Sequence, residues 1–101
     1  MNKKAYIINF DKSGVLDTFD YVKFHNQLTT VKGIFSWFHY LQSSYIIITD
    51  KNVMGKNVYD AVSPIMPNKQ FLILEVKLKN HYGWLTKEAW DWIIKWSNET
   101  G

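Results

Sequence analysis

Reactive side chains are few in this sequence. Asp11 follows the short apolar run Ala5 to Phe10 and precedes Lys12-Ser13-Gly14. It is the one acid at the end of a segment that reads as a central strand. Two copies of it, one from each subunit of a dimer, can hold a magnesium ion and orient water toward a phosphodiester. An Asp ahead of Lys-Ser-Gly also suits a tight turn, because its side chain bonds the backbone two residues on. His25, His39 and His81 are spaced so that no metal cage follows from them. His39 lies two residues from Trp37 on one strand face, where it can stack on a base or hydrogen-bond within the sheet. Tyr6, Trp37, Tyr40 and Tyr45 are rings that either stack single-stranded bases or fill a core.

Two phosphate signatures are incomplete. Lys12-Ser13-Gly14 lacks the glycine spacing and the Lys-Ser/Thr helix start of a phosphate loop. Lys32-Gly33-Ile34-Phe35 has part of an RNA-recognition signature, but it opens the second strand, whereas that signature belongs on the third. The net charge of +3 comes from twelve Lys and nine acids, with no Arg. Lysine neutralises phosphate as a point charge and has no planar fork with which to read guanine. Contact with a nucleic-acid backbone is therefore expected over sequence reading, and an excess of this size also serves simply as a solvated surface.

What must position these residues is a succession of short strands and helices. The chain has 101 residues, the length of one domain, and 17% of them are aromatic, five of them Trp. Large side chains thus supply the core that a short chain otherwise lacks. No Cys is present, so neither a disulfide nor a thiolate metal site can form, and a cytoplasmic location is expected. The start, Met1-Asn2-Lys3-Lys4, is followed by an apolar run too short for a signal peptide. The stretch Gly33 to Thr49, without acid or Lys, is too short for a membrane helix, so no membrane partner is expected.

Ala5 to Phe10 reads as a first strand. From Tyr21, the residues Phe24, Leu28 and Val31 recur at helical spacing, with Asp17 or Thr18 placed to cap a helix of about four turns. Ile34 to Leu41 and Ser44 to Thr49 read as a hairpin turning through Gln42-Ser43. That turn sets Tyr40 opposite Tyr45 and Phe38 opposite Ile47 on one face, with Trp37, His39, Ile46 and Ile48 on the other. Met54, Val58 and Val62 predict a second helix, ended by Pro64 and Pro67. Phe71 to Leu78 alternates as a fourth strand.

Strand, helix, strand, strand, helix, strand is the split βαβ order, whose right-handed crossovers put both helices on one side of the sheet. Phe71, Ile73 and one hairpin face are then expected on the bare side, as a patch that needs a cover. A helix from Lys87 to Trp96, capped by Thr86 and stapled by Leu85 and Trp90, is one candidate. Its apolar stripe of Ala89, Trp92, Ile93 and Trp96 is widened by Trp90 and Ile94 beyond what one contact uses, which predicts a homodimer. Ser97 to Gly101 reads as a frayed tail.

The segment Trp37-Phe38-His39-Tyr40-Leu41-Gln42-Ser43-Ser44-Tyr45-Ile46-Ile47-Ile48-Thr49 resembles the hairpin of the SinR-like family, small bacterial proteins related to the CRISPR-associated adaptation-subunit endonuclease. Tyr6-Ile7-Ile8-Asn9-Phe10-Asp11 is similar to that family's first strand, and Asp20-Tyr21 falls where its first helix begins. The resemblance runs from about Ala5 to Val76, with a looser likeness from Gly83-Trp84-Leu85 onward. It implies a ferredoxin-like subunit that dimerises across its sheet, with two Asp11 side chains facing one another. Relatives of this kind are nucleases, DNA-holding scaffolds or uncharacterised. The absence of Arg departs from the nuclease relatives and weighs against strong duplex binding.

The resulting expectation is an α+β fold, a ferredoxin-like βαββαβ sandwich with an additional C-terminal helix, forming a single domain over residues 1–101. Asp11 would be the catalytic and magnesium-binding residue of a metal-dependent nuclease. Lys12, His39, Ser43, Ser44 and Tyr45 would contact RNA or DNA, and Trp37, Phe71, Ile73, Trp84, Trp90 and Trp92 would form the interface. The competing expectation is a non-catalytic module, an inhibitor, antitoxin or scaffold, whose aromatic surface binds a protein partner.

Overall fold

A computed structural model describes residues 2–12 and 18–100. Strand β1 (Lys3–Phe10) pairs antiparallel along one edge with β3 (Ser44–Asp50) and along the other with β4 (Phe71–Val76). Strand β2 (Ile34–Leu41) takes the far edge of β3, so the four-stranded sheet runs β2-β3-β1-β4. Three helices complete the α+β architecture: α1 (Tyr21–Leu28) between β1 and β2, α2 (Gly55–Val62) between β3 and β4, and α3 (Lys87–Ser97) after β4.

Alternation along β1 separates the two layers. Tyr6, Ile8 and Phe10 are buried in one cluster with Tyr45 and Ile47 of β3, Phe24 and Leu28 of α1, and Val58 and Val62 of α2. Each such side chain withdrawn from water contributes about 1.5–3 kcal/mol. On the other face, Ala5 and Ile48 pack with Leu78, Trp92 and Trp96, while Phe38 packs with Ala89, Ile93, Leu85 and Trp90. Helix α3 therefore roofs the β2–β3 half of this second face. Leu72 and Leu74, opposite Asn9 and Ile7, stay 54% and 50% exposed.

The register corrects the expected faces. Phe71 and Ile73 stand opposite Phe10 and Ile8 and pack into the helix-covered core, where Tyr59 stacks on Phe71 at 5.7 Å. The bare residues of β4 are Leu72 and Leu74. Both alternating sets of this strand are apolar at its start, so only pairing with β1 decides between them. In the hairpin the turn is at Gln42-Ser43 as expected, but Trp37 pairs with Ile47 and Phe38 with Ile46. Register irregularities between Ile34 and Ser36 and between Phe38 and Leu41 each place an extra residue on β2. One such insertion shifts the pairing by a residue and exchanges the faces. Trp37 and His39 remain together, on the α1 side, whereas Ile46 and Ile48 lie beneath α3.

Helix α1 is shorter than its apolar spacing implies. Asp20 is its cap, accepting from the Lys23 N–H at 2.9 Å, so Thr18 lies outside the helix; Asp17 lies outside the described residues. Thr29 and Thr30 then turn their hydroxyls back onto the His25 and Asn26 carbonyls at 2.8 and 3.0 Å, a competition that ends the helix before Val31. Gly33 follows at φ 100°, a conformation that costs other residues energy, and redirects the chain into β2. Thr86 caps α3 by accepting from the Ala89 N–H at 3.3 Å, and Leu85 and Trp90 pack in the same cluster. The tail is anchored rather than frayed: Ser97 and Thr100 are buried, and Thr100 bridges Lys3. Among the described residues no helix is long and apolar enough to cross a membrane.

The cap assignment predicts that Asp20→Ala lowers stability by about 1 kcal/mol. Thr18→Ala, by contrast, should lie within about 0.5 kcal/mol of wild type. Equal urea midpoints for the two variants would contradict it.

Candidate nucleic-acid interface

Strand β1 ends between two neighbours that hold its last residues. The Phe10 N–H donates to the Ser43 carbonyl at 2.9 Å, and the Asp11 N–H to the Gln70 carbonyl at 3.1 Å. These bonds place Asp11 at the tip of the sheet, beside the β2–β3 turn. A hollow of about 530 Å³ opens there, lined by Asn9, Asp11, Lys12, Ser43, Gln70 and Leu72. Polar oxygens and amides dominate its wall, and among the described residues Asp11 is its one carboxylate.

Cations gather at the same end. The Lys12 ammonium sits 4.7 Å from the centre of the Tyr21 ring, and that of Lys69 sits 5.3 Å from the same centre. Tyr21 in turn stacks on Phe10 at 5.8 Å, so the aromatic support of both lysines is continuous with the core. Cation–π contact of this kind contributes about 0.5–1 kcal/mol at an exposed site and restrains an otherwise floppy side chain. The charge is thus held beside the hollow.

On the other side of the turn stands an aromatic column. Tyr45 is buried against Phe24 and Phe10 at 5.7 and 6.2 Å, and shares a 2.7 Å hydrogen bond with His25 Nδ1. His39 lies flat on Tyr45, centroids 3.9 Å apart and planes 2° from parallel. Its Nδ1 is 3.0 Å from the Ser44 carbonyl. A carbonyl only accepts, so Nδ1 carries a proton and donates it; in the neutral ring Nε2 then keeps its lone pair. Trp37, 41% exposed, meets the edge of His25 at 6.0 Å. Burial pushes the Tyr45 hydroxyl up to about 12, and burial with the nearby Glu75 carboxylate raises Tyr6.

The residues expected to touch nucleic acid are divided by this geometry. Asp11, Lys12 and Ser43 share the hollow, and His39 is exposed, its Nδ1 bonded to the carbonyl of Ser44, the residue after Ser43. Tyr45 and Ser44 are buried, so their part is to hold His39, one by its ring and the other by its carbonyl. Tyr6 is buried as well, its hydroxyl donating to the Val53 carbonyl at 2.7 Å, and offers no stacking surface. His25, Asn9, Lys69 and Gln70 join the site without having been among the residues expected there. Nothing in their local spacing signals the site, because they converge only through β1, α1 and the approach to β4.

The residues expected at an interface also separate. Trp90 and Trp92 pack within their own chain, and the Trp92 indole N–H donates to Ser36 Oγ at 2.9 Å. Trp84 is 99% exposed, as is 95% of its neighbour Tyr82. For magnesium, the described residues lining the hollow offer the Asp11 carboxylate and neutral oxygens. Among the described residues no three His, Cys, Asp or Glu come together to hold a metal ion.

No protein-family model matches this chain, and neither a curated protein nor a solved structure matches it.

Because folded Tyr45 keeps its proton up to about 12 while an unfolded tyrosine loses it near 10, this residue stabilises the fold fully below pH 10. That contribution fades as pH rises through about 12. Urea unfolding at pH 9 and pH 11 should therefore show a smaller alkaline loss for Tyr45→Phe than for wild type; identical losses would refute the assignment.

Proposed function

We propose that this protein is a ferredoxin-like subunit of the SinR-like kind that pairs with a second copy and binds nucleic acid through its phosphate backbone. The observation that carries this reading is the convergence of Lys12 and Lys69 on Tyr21 beside a polar hollow, with an exposed imidazole stacked across the same hairpin turn. Ammonium groups neutralise phosphate, and π-faces take bases without regard to sequence. The βαββαβ order with an all-antiparallel β2-β3-β1-β4 sheet supports the fold assignment.

Pairing of two subunits is supported by the half of the second sheet face that α3 leaves bare. Leu72 and Leu74 are half exposed there, and Tyr82 and Trp84 follow β4 in the chain almost wholly exposed. The two aromatic side chains alone offer roughly 400 Å² of contact area. Exposed aromatic side chains of this size are available to a partner, and Leu72 and Leu74 add apolar surface on β4. Phosphodiester cleavage is the further possibility inherent in such a pair: it requires the two Asp11 carboxylates to reach one magnesium ion, and each chain contributes only its own.

A protein-binding module is the second reading, favoured specifically by Trp84 and Tyr82. The two differ in their response to salt. Nucleic-acid affinity falls steeply with ionic strength through counterion release, whereas an aromatic protein interface tolerates it.

Fluorescence anisotropy with labelled oligonucleotides should give binding that weakens at least about tenfold between 50 and 200 mM salt, and weakens further in Lys12→Glu. No binding at 50 mM salt would reject the nucleic-acid reading. Light scattering should return twice the 12.0 kDa chain mass for wild type and the single mass for Leu74→Lys. Wild type at the single mass at micromolar concentration would reject the dimer. Asp11→Asn should abolish any magnesium-dependent cleavage, and wild type inert with magnesium and with manganese would reject the enzymatic part.

A further inference from the structure

His39 is an exposed residue held as if it were buried. Exposed side chains ordinarily sample several rotamers, and fixing one costs free energy. Here two constraints act on a single imidazole. Its inner face lies flat on Tyr45, itself buried against Phe24 and Phe10, and its Nδ1–H is committed to the Ser44 carbonyl. Tyr45 is held in turn by burial and by the 2.7 Å hydrogen bond between its hydroxyl and His25 Nδ1. A column of rings therefore runs from the core to the surface and ends in the imidazole. Among the described residues Tyr45 is the one ring that lies flat on His39; the other ring near it, His25, is tilted by 34° at 6.2 Å. Trp37, partly exposed on the same strand face, meets His25 edge-on at 6.0 Å.

We propose that His39 is the stacking platform for one unpaired nucleobase, which continues the Phe24–Tyr45–His39 column outward. The proposal rests on the nucleic-acid reading above and deepens it by specifying single strands as the substrate class. A planar heterocycle laid on the exposed His39 extends the Tyr45–His39 stack, and in the neutral ring His39 Nε2 accepts a hydrogen bond from a base amino or imino group. A duplex base is already stacked on both faces and is not available to do this. The phosphate of the same nucleotide has a destination close by. Ser43, which lines the hollow with Lys12, and Ser44, whose carbonyl anchors the imidazole, are consecutive residues. Sugar-phosphate and base thus meet adjacent parts of one turn. The shared chemistry is that of a nucleobase, and a free mononucleotide is the alternative source.

Anisotropy titration at 50 mM salt of a labelled oligo(dT) and oligo(U), a matched duplex, and a single strand carrying abasic positions tests this. Wild type should prefer single strand over duplex. His39→Ala should weaken single-strand binding by about 5- to 150-fold. His39→Phe, which keeps a ring on Tyr45, should stay within about threefold of wild type, and the abasic strand should bind wild type and His39→Ala alike. Matching thermal melts would confirm that the variants fold. Unchanged single-strand affinity in His39→Ala, with Lys12→Glu still weakening it, overturns the stacking site and leaves the nucleic-acid reading standing. No binding of any oligonucleotide overturns both. If uridine monophosphate perturbs the His39 imidazole resonances while oligonucleotides bind no tighter than the monomer, the site serves free nucleotides and the single-strand proposal fails.

Discussion

Strand β1 is hydrogen-bonded along both edges, and that double pairing determines where every other element can go. Once Tyr6, Ile8 and Phe10 face α1 and α2, each partner residue across the ladder is committed as well: Tyr45 and Ile47 on one side, Phe71 and Ile73 on the other. A shift of one residue would exchange two apolar sets and strip the helices of their floor. The same strand ends at Asp11 between Ser43 and Gln70, so the placement of the core also places the hollow at the sheet tip.

Apolarity on both faces has an unequal solution. One face is covered by two short helices, each reaching the sheet through a pair of buried residues. The other receives α3, which spans β2 and β3 and leaves Leu72 and Leu74 of β4 half exposed. Covering area with large rings is economical for a short chain, since each aromatic side chain buries as much as two small aliphatic ones. Its consequence is that rings become the medium connecting core to surface. The Phe10–Tyr21 contact carries that support to two lysines, and the Phe24–Tyr45–His39 contact carries it to an imidazole. The rigidity at the candidate interface is borrowed from the core.

Polar groups are correspondingly well accounted for. Among the described residues no buried side-chain nitrogen or oxygen lacks a hydrogen-bond partner. Several bonds join distant parts of the chain: Tyr6 to Val53, His25 to Tyr45, Trp92 to Ser36. Each lets an aromatic residue bury its ring while its polar atom is satisfied, which is why so many Tyr and Trp can be packed at low cost. The exposed ion pairs Lys56–Asp60 and Lys87–Asp91, one turn apart on their helices, add little beside this.

The order of elements, the hairpin turn at Gln42-Ser43, the second helix from Met54 to Val62 and the Thr86-capped last helix were all legible from residue spacing, because each depends on neighbours within a few positions. Three features were not. The faces of Phe71 and Leu72 depended on pairing with β1, since both candidate sets are apolar. The hairpin register depended on extra residues in β2, which leave no mark in an alternating run. The start of α1 depended on which of several acids and hydroxyls reached an N–H, and Asp20 did. At the candidate site, the sequence marked Asp11, Lys12 and His39 by type and position. Only the tertiary structure brought His25 to the Tyr45 hydroxyl and Lys69 to the Tyr21 ring that Lys12 also meets, and buried Tyr45 so that His39 became the exposed ring. Local spacing is a property of the chain alone, whereas exposure is decided by what packs against a residue from afar.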